Sequence, residues 1–147
     1  MKYVRLLLSI IIGMVVVTLI VEGIEFFLVS SISGKDLEYL ESNQDVYFET
    51  RNTPSILAAK LVYTLVAAGI SGYLVSLIAG SLARIGVLLL ITIQTAALIW
   101  GGFFSEWSST APIWLWLALI VVTGAGFYLG YHIRQRSARR KLEGEQE

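Results

Sequence analysis

The stretch Val4–Val29 reads VRLLLSIIIGMVVVTLIVEGIEFFLV, and its reading decides the fold. It is almost unbroken apolar sequence from Leu6 to Val21, then Glu22-Gly23-Ile24-Glu25, then apolar again to Val29. A bilayer core about 30 Å thick takes roughly 20 helical residues to cross, and this stretch supplies them. The expected solvent of the chain is therefore lipid. Glu22 and Glu25 are the acidic residues set inside apolar sequence.

Composition points the same way. The 147 residues suffice for one domain, residues 1–147. Apolar residues make up 56%, mean hydropathy is +0.72, and charged residues are only 15%, against about 25% in soluble domains. So little charge cannot solvate a globule of this size. There is no cysteine, which excludes disulfides, thiolate metal sites and thiol catalysis. The single histidine, His132, excludes a histidine-rich metal site within one chain. No nucleophile, base or metal set is legible. The chain is expected to be a non-enzyme with no cofactor and no metal.

Outward from the first stretch, the apolar run exceeds the h-region of a secretory signal, so helix one is expected to be retained. Residues 30–53 are polar and acidic and read as a loop, in which Asp36–Ser42 can form a short helix with Leu37 and Leu40 on one face. Thr53-Pro54 is a helix start, with Thr as N-cap and Pro at the first helical position. A second helix then runs over 54–82. Along it Thr64, Ala68, Gly72, Ser76 and Gly80 recur every four residues, with Gly69 beside them. In lipid, close approach through small residues is a main source of helix association, so Ala68, Gly72, Ser76 and Gly80 are assigned to helix packing. Packing within the chain is preferred over a dimer face. A turn over Gly80–Arg84 leads to a third helix, 85–104, with Thr92, Gln94 and Thr95 near its middle. After a loop, Pro112 opens a fourth, 112–133, where Gly126 and Gly130 form a second packing patch. The basic tail starts at Arg134, and Leu142–Glu147 reads as disordered.

The expected fold is all-α, a bundle of four transmembrane helices over 4–29, 54–82, 85–104 and 112–133. Four crossings place Lys2, Arg5, Arg84, Arg134, Arg136, Arg139, Arg140 and Lys141 on one side, eight of the eleven basic residues. The positive-inside rule makes that side, with both termini, cytoplasmic. Loop 30–53 is then outside and the tail 134–147 inside. Trp100, Phe103, Phe104, Trp107, Trp114 and Trp116 would form an outer aromatic belt, and Tyr3, Tyr128, Tyr131 and His132 an inner one.

At 1.5 Å per residue, Glu25 lies about 30 Å beyond Arg5, at the outer interface. Glu22 lies one turn deeper on the same face. Lys60 falls at a similar depth on the second helix. Charges in a membrane are costly and are usually paired or lead to water. Glu22, Glu25 and Lys60 are accordingly the candidate site: a structural ion pair, or a proton- or cation-linked carboxylate at a cavity mouth. A cavity lined by Glu22, Gln94 and Thr95 would favour the second; a dry bundle with Lys60 paired to a glutamate, the first.

Val21-Glu22-Gly23 closing helix one, an acidic segment after it, Ser76-Leu77-Ile78-Ala79-Gly80 closing a small-residue helix, and a basic C-terminus together resemble a group of short bacterial four-helix integral membrane proteins. That resemblance implies a multi-pass protein of the bacterial inner membrane and supplies no activity. Size, helix count and a first-helix glutamate are also similar to the small multidrug transporters, whose essential carboxylate lies nearer mid-membrane. The preferred expectation is a non-enzymatic interaction or structural protein. Its partners would be membrane lipids and, through the small-residue faces, copies of itself or other membrane proteins, with no nucleic acid. The alternative is an oligomeric small transporter or channel subunit that uses Glu22 and Glu25 for proton or cation coupling.

Overall fold

The computed structural model describes residues 1–144, and every described element is helical. The long helices are α1 (Lys2–Ser33), α4 (Pro54–Ala79), α5 (Ala83–Ile99) and α6 (Ile113–Gly144). Two short ones, α2 (Leu37–Ser42) and α3 (Gln44–Arg51), lie between α1 and α4. A π-helical turn, Trp100–Phe104, extends α5, and a 3-10 turn, Glu106–Thr110, precedes α6. Three helical segments are long and apolar enough to cross a membrane: Lys2–Ser33, Pro54–Phe104 and Ile113–Arg140.

The middle segment is not straight. Gly80, at φ 57° and ψ −113°, takes a backbone that side chains with a Cβ rarely adopt. Beyond the 3-10 turn Gly80–Leu82, α5 packs back along α4, where a Cβ on Gly86 would stand 3.2 Å from Val75 and 3.5 Å from Ala79. Gly80 is therefore a turn residue and not part of the packing ladder, because a Cβ there would meet nothing within 4 Å.

The rest of the ladder meets α6. A Cβ on Gly72 would collide with the Phe127 carbonyl, and one on Gly130 with the Gly69 carbonyl. A Gly126 Cβ would stand 2.6 Å from that of Ala68 and 2.7 Å from the Leu65 carbonyl. Residues 65–73 thus pair in ascending order with 126–130, so α4 and α6 run parallel with α5 as the return between them. Ser76 turns inward and donates to the Gly72 carbonyl at 2.8 Å. On the other side α4 meets α1, where Ser71 Oγ donates to the Gly13 carbonyl at 2.6 Å. Contacts of this closeness, together with the core of Ile10, Val17, Ala67, Val75, Leu90 and Phe127, hold helices together where lipid is as apolar as leucine.

Two expected boundaries change. The segment 30–53 is helical rather than a loop. Gly34, at φ 66°, ends α1; the Asp36 carboxylate accepts the Tyr39 N–H at 2.8 Å and starts α2. Leu40 is buried against Val29 and Ile56, which seats this pair of short helices on the end of the bundle. Thr53 is the N-cap of α4 by position, but its hydroxyl donates back to the Thr50 carbonyl at 2.9 Å. At the other end, α6 continues past 133 to Gly144, because Ser137-Ala138-Arg139-Arg140-Lys141 contains no helix breaker. The expected disorder of Leu142–Glu147 is thus replaced by helix as far as Gly144, and residues 145–147 lie outside the described residues.

The glycine contacts set a measurable contrast. Gly72→Ala and Gly130→Ala should each destabilise the protein by about 1–3 kcal/mol, because backbone cannot yield to the new methyl. Gly23→Ala, where a Cβ meets nothing within 4 Å, should be neutral or stabilising by up to about 1 kcal/mol. Unfolding in mixed micelles reads both, and equal effects at the three positions would contradict the close α4–α6 approach.

Candidate functional site

Among the described residues the buried carboxylate is Glu25, and its partners gather at one end of the bundle. Glu25, near the end of α1, has a side chain only 1% exposed. Its carboxylate is satisfied on both oxygens. Oε1 accepts the Tyr47 hydroxyl at 3.0 Å and faces Arg51 Nη1 at 3.6 Å. Oε2 accepts the Tyr63 hydroxyl at 3.2 Å and pairs with the Lys60 ammonium. The donors come from two helices by simple spacing. Lys60 and Tyr63 are i, i+3 on α4, and Tyr47 and Arg51 are i, i+4 on α3. Lys60 therefore pairs with Glu25 and not with Glu22.

Arg51 serves a second purpose. Its Nη2 donates to the Thr110 carbonyl at 3.1 Å, and Asn52 Nδ2 donates to the same oxygen at 2.9 Å. The carboxylate of α1 is thereby connected, through one guanidinium, to the turn that precedes α6. Tyr47 is fixed between Phe26 and Phe48, with ring centroids 5.3 Å and 5.5 Å away. Burial, the Glu25 charge and the bond to it push the Tyr47 hydroxyl well above the usual tyrosine value, so it stays a donor.

Glu22 is placed differently. It is exposed and has no hydrogen bond or ion pair among the described residues. It borders a cavity of about 200 Å³ that reaches from the Glu25 cluster into the bundle. Gln94 of α5 and Thr64 of α4 share its wall; Leu98, Leu115 and Trp116 form an apolar side. The Thr64 hydroxyl and the Trp116 indole N–H are buried and have no partner. Unsatisfied polar atoms inside a protein are few and ask for an explanation. The four charged groups on the wall, Glu22, Glu25, Arg51 and Lys60, sum to zero. The lysine–glutamate pair is thus present without the dry bundle expected to accompany it, and a cavity has Glu22 and Gln94 on its wall. Thr95 is not on that wall; Thr64 and Thr123 are.

Several participants were not singled out in the sequence. Tyr63 carried a weak signal, one helical turn from Lys60. Tyr47 and Arg51 carried none, since an apparent loop gives no face on which to place them. Trp116 was assigned to the aromatic belt. It instead lies across the π-helical turn, where a Cβ on Gly102 would stand 2.7 Å from its ring. Trp100 and Phe104, 66% and 69% exposed, do point outward. Among the described residues no group of three or more His, Cys, Asp or Glu could hold a metal ion. No protein-family model, curated protein or solved structure matches the chain.

Removing one partner of a buried pair leaves an uncompensated charge. Lys60→Met should cost about 3 kcal/mol or more, and adding Glu25→Gln to it should recover most of the loss. A thermal-unfolding cycle over the two single variants and the double one checks this; additive losses would mean that the pair is not coupled. Tyr47 predicts an alkaline effect. Its folded pKa is raised above 10.0, so its stabilisation is present below the unfolded value and is lost as pH rises past it. In Tyr47→Phe, unfolding followed from pH 8 to 11 should show a shallower alkaline loss than the parent.

Proposed function

We propose that this chain is a non-enzymatic integral membrane protein that crosses the bilayer four times and receives a small polar solute in the cavity beside Glu22. Three segments have the length and composition to cross, and the Gly80 turn divides the middle one. Unbent, the 51 residues Pro54–Phe104 would extend about 77 Å, more than twice a bilayer core. Folded at Gly80, α4 and α5 each approach one thickness. Four crossings put the start of α1, the start of α5 and the end of α6 at one end, with eight of the eleven basic residues. That asymmetry supports a cytoplasmic placement of both termini in a bacterial inner membrane.

The observation that carries the solute reading is the unpaired Glu22 carboxylate on the wall of the cavity that Gln94 also lines. An intramembrane ionisable group without a partner marks a functional site by default. Glu25 has the opposite character: four donors hold it, so it serves as structure and Glu22 as the anchor. This favours the small transporter or channel subunit over the purely structural protein. The small-residue faces support that preference, since Ala68, Gly72, Gly126 and Gly130 are occupied within the chain.

The absence of cysteine makes a direct test free of background. Gln94→Cys should react with a membrane-impermeant methanethiosulfonate ammonium reagent in sealed vesicles. Ile93→Cys, at a position whose native side chain is 39% exposed on the bundle exterior, should not. Glu22→Gln should slow labelling at position 94 by removing the anion that concentrates the cationic reagent. An unreactive Gln94→Cys would mean a dry bundle and return the protein to the structural reading.

A further inference from the structure

A second cavity, of about 290 Å³, lies at the opposite end of the bundle between the start of α5 and α6. Arg84, Tyr128, Tyr131 and His132 give it a polar rim, and Val87 and Leu88 an apolar floor. The rim is assembled by packing. The Tyr128 and His132 rings stand edge to face at 4.4 Å, and Tyr131 meets His132 at 5.5 Å.

As far as Arg140 the charge around it is one-sided, and Glu143, Glu145 and Glu147 follow only beyond it in sequence. Lys2, Arg5, Arg84, Arg134, Arg136, Arg139 and Arg140 lie at this end, with no acidic residue between the start of the chain and Glu22, between Ser81 and Gln94, or between Gly124 and Arg140. The ion pairs of the described residues, Arg51–Glu25 and Lys60–Glu25, are at the other end. Arg84 is exposed and, among the described residues, has no carboxylate as partner. A guanidinium matches phosphate geometry, and tyrosine hydroxyls donate to the same oxygens. The floor continues onto Leu88, 53% exposed on the outside of the bundle, in the direction an acyl chain would take.

We infer that this cavity binds an anionic phospholipid, with the headgroup phosphate at Arg84 and the tyrosine rim and the acyl chains along Val87 and Leu88. The site is independent of the Glu22 cavity. It gives the basic end a fixed lipid in addition to the diffuse attraction of its arginines.

Native mass spectrometry of the detergent-solubilised chain tests it, with phosphatidylglycerol, phosphatidylcholine of the same acyl chains, and inorganic phosphate as probes. Phosphatidylglycerol should be retained in preference to phosphatidylcholine. Arg84→Gln should weaken its retention about fivefold, the attraction of one basic residue for an anionic lipid surface. Leu88→Trp, which fills the apolar floor and spares the charge, should weaken it too, and the double variant Arg139→Gln, Arg140→Gln should not. Equal retention of the two lipids would overturn the site. So would undiminished retention by both Arg84→Gln and Leu88→Trp, or a loss confined to the Arg139, Arg140 variant, which would assign the lipid to the tail. Competition by inorganic phosphate alone would make the cavity a site for free phosphate and end the lipid assignment.

Discussion

A carboxylate removed from water at the end of an apolar helix sets the terms for this molecule. Desolvating a charge costs several kcal/mol even after relaxation, and Glu25 is buried with two cations and two phenols around it. Each donor sits on a different part of the chain from the acceptor. To satisfy Glu25, α1 and α4 must stand in one register, and α3 must lie over their ends. Arg51 then carries the constraint on to the Thr110 carbonyl. The polar end of the bundle is thus positioned by one acceptor, while the apolar body is positioned mainly by small-residue contacts, with the Ser71 bond to the Gly13 carbonyl as a directional one. The two kinds of restraint are complementary: close packing sets distance, and the Glu25 cluster sets register.

That division also separates two glutamates that look equivalent in sequence. They are one turn apart on the same helix face, and nothing in their neighbours distinguishes them. What differs is which groups other elements deliver. Lys60, Tyr63, Tyr47 and Arg51 converge on Glu25 and leave Glu22 facing open volume. One carboxylate beside a cavity without a partner and one saturated by donors thus have different surroundings, although they share one helix face. The four charged groups on the wall, two carboxylates and two cations, sum to zero.

The parts of the fold legible in the sequence were those set by composition and period. The apolar runs, the Thr53-Pro54 start, the turn near Gly80 and the pairing potential of Gly72, Gly126 and Gly130 follow from local rules. The parts not legible depended on long-range placement. Residues 30–53 looked like a loop because their helices are too short and too polar to leave a strong period. Without α3 there was no means of bringing Tyr47 or Arg51 to Glu25. Trp116 resembled its belt neighbours in sequence and differs only in what the π-helical turn presents to it. Gly80 fitted a four-residue spacing by coincidence, since the chain leaves the helix there. Lys60 was identified as an ion-pair partner, but the choice between Glu22 and Glu25 needed the helix rotation that only packing supplies.

The parallel arrangement of α4 and α6 bears on how the molecule is made. In a chain that entered a bilayer in order, α4 would be in place before α5 had turned back and before α6 existed. Until then the surface bearing Ala68 and Gly72, shaped to receive backbone, would have only lipid beside it. The α1–α4 hairpin, by contrast, can close early through Ser71 and the Lys60–Glu25 pair. Assembly in that order would be staged: an early half fastened by polar bonds, and a late half that waits for a distant segment to complete a glycine seam. A nascent chain stalled before Phe127 would present that seam to any other helix in the bilayer, which makes the last helix the guard against mispairing as well as a part of the bundle.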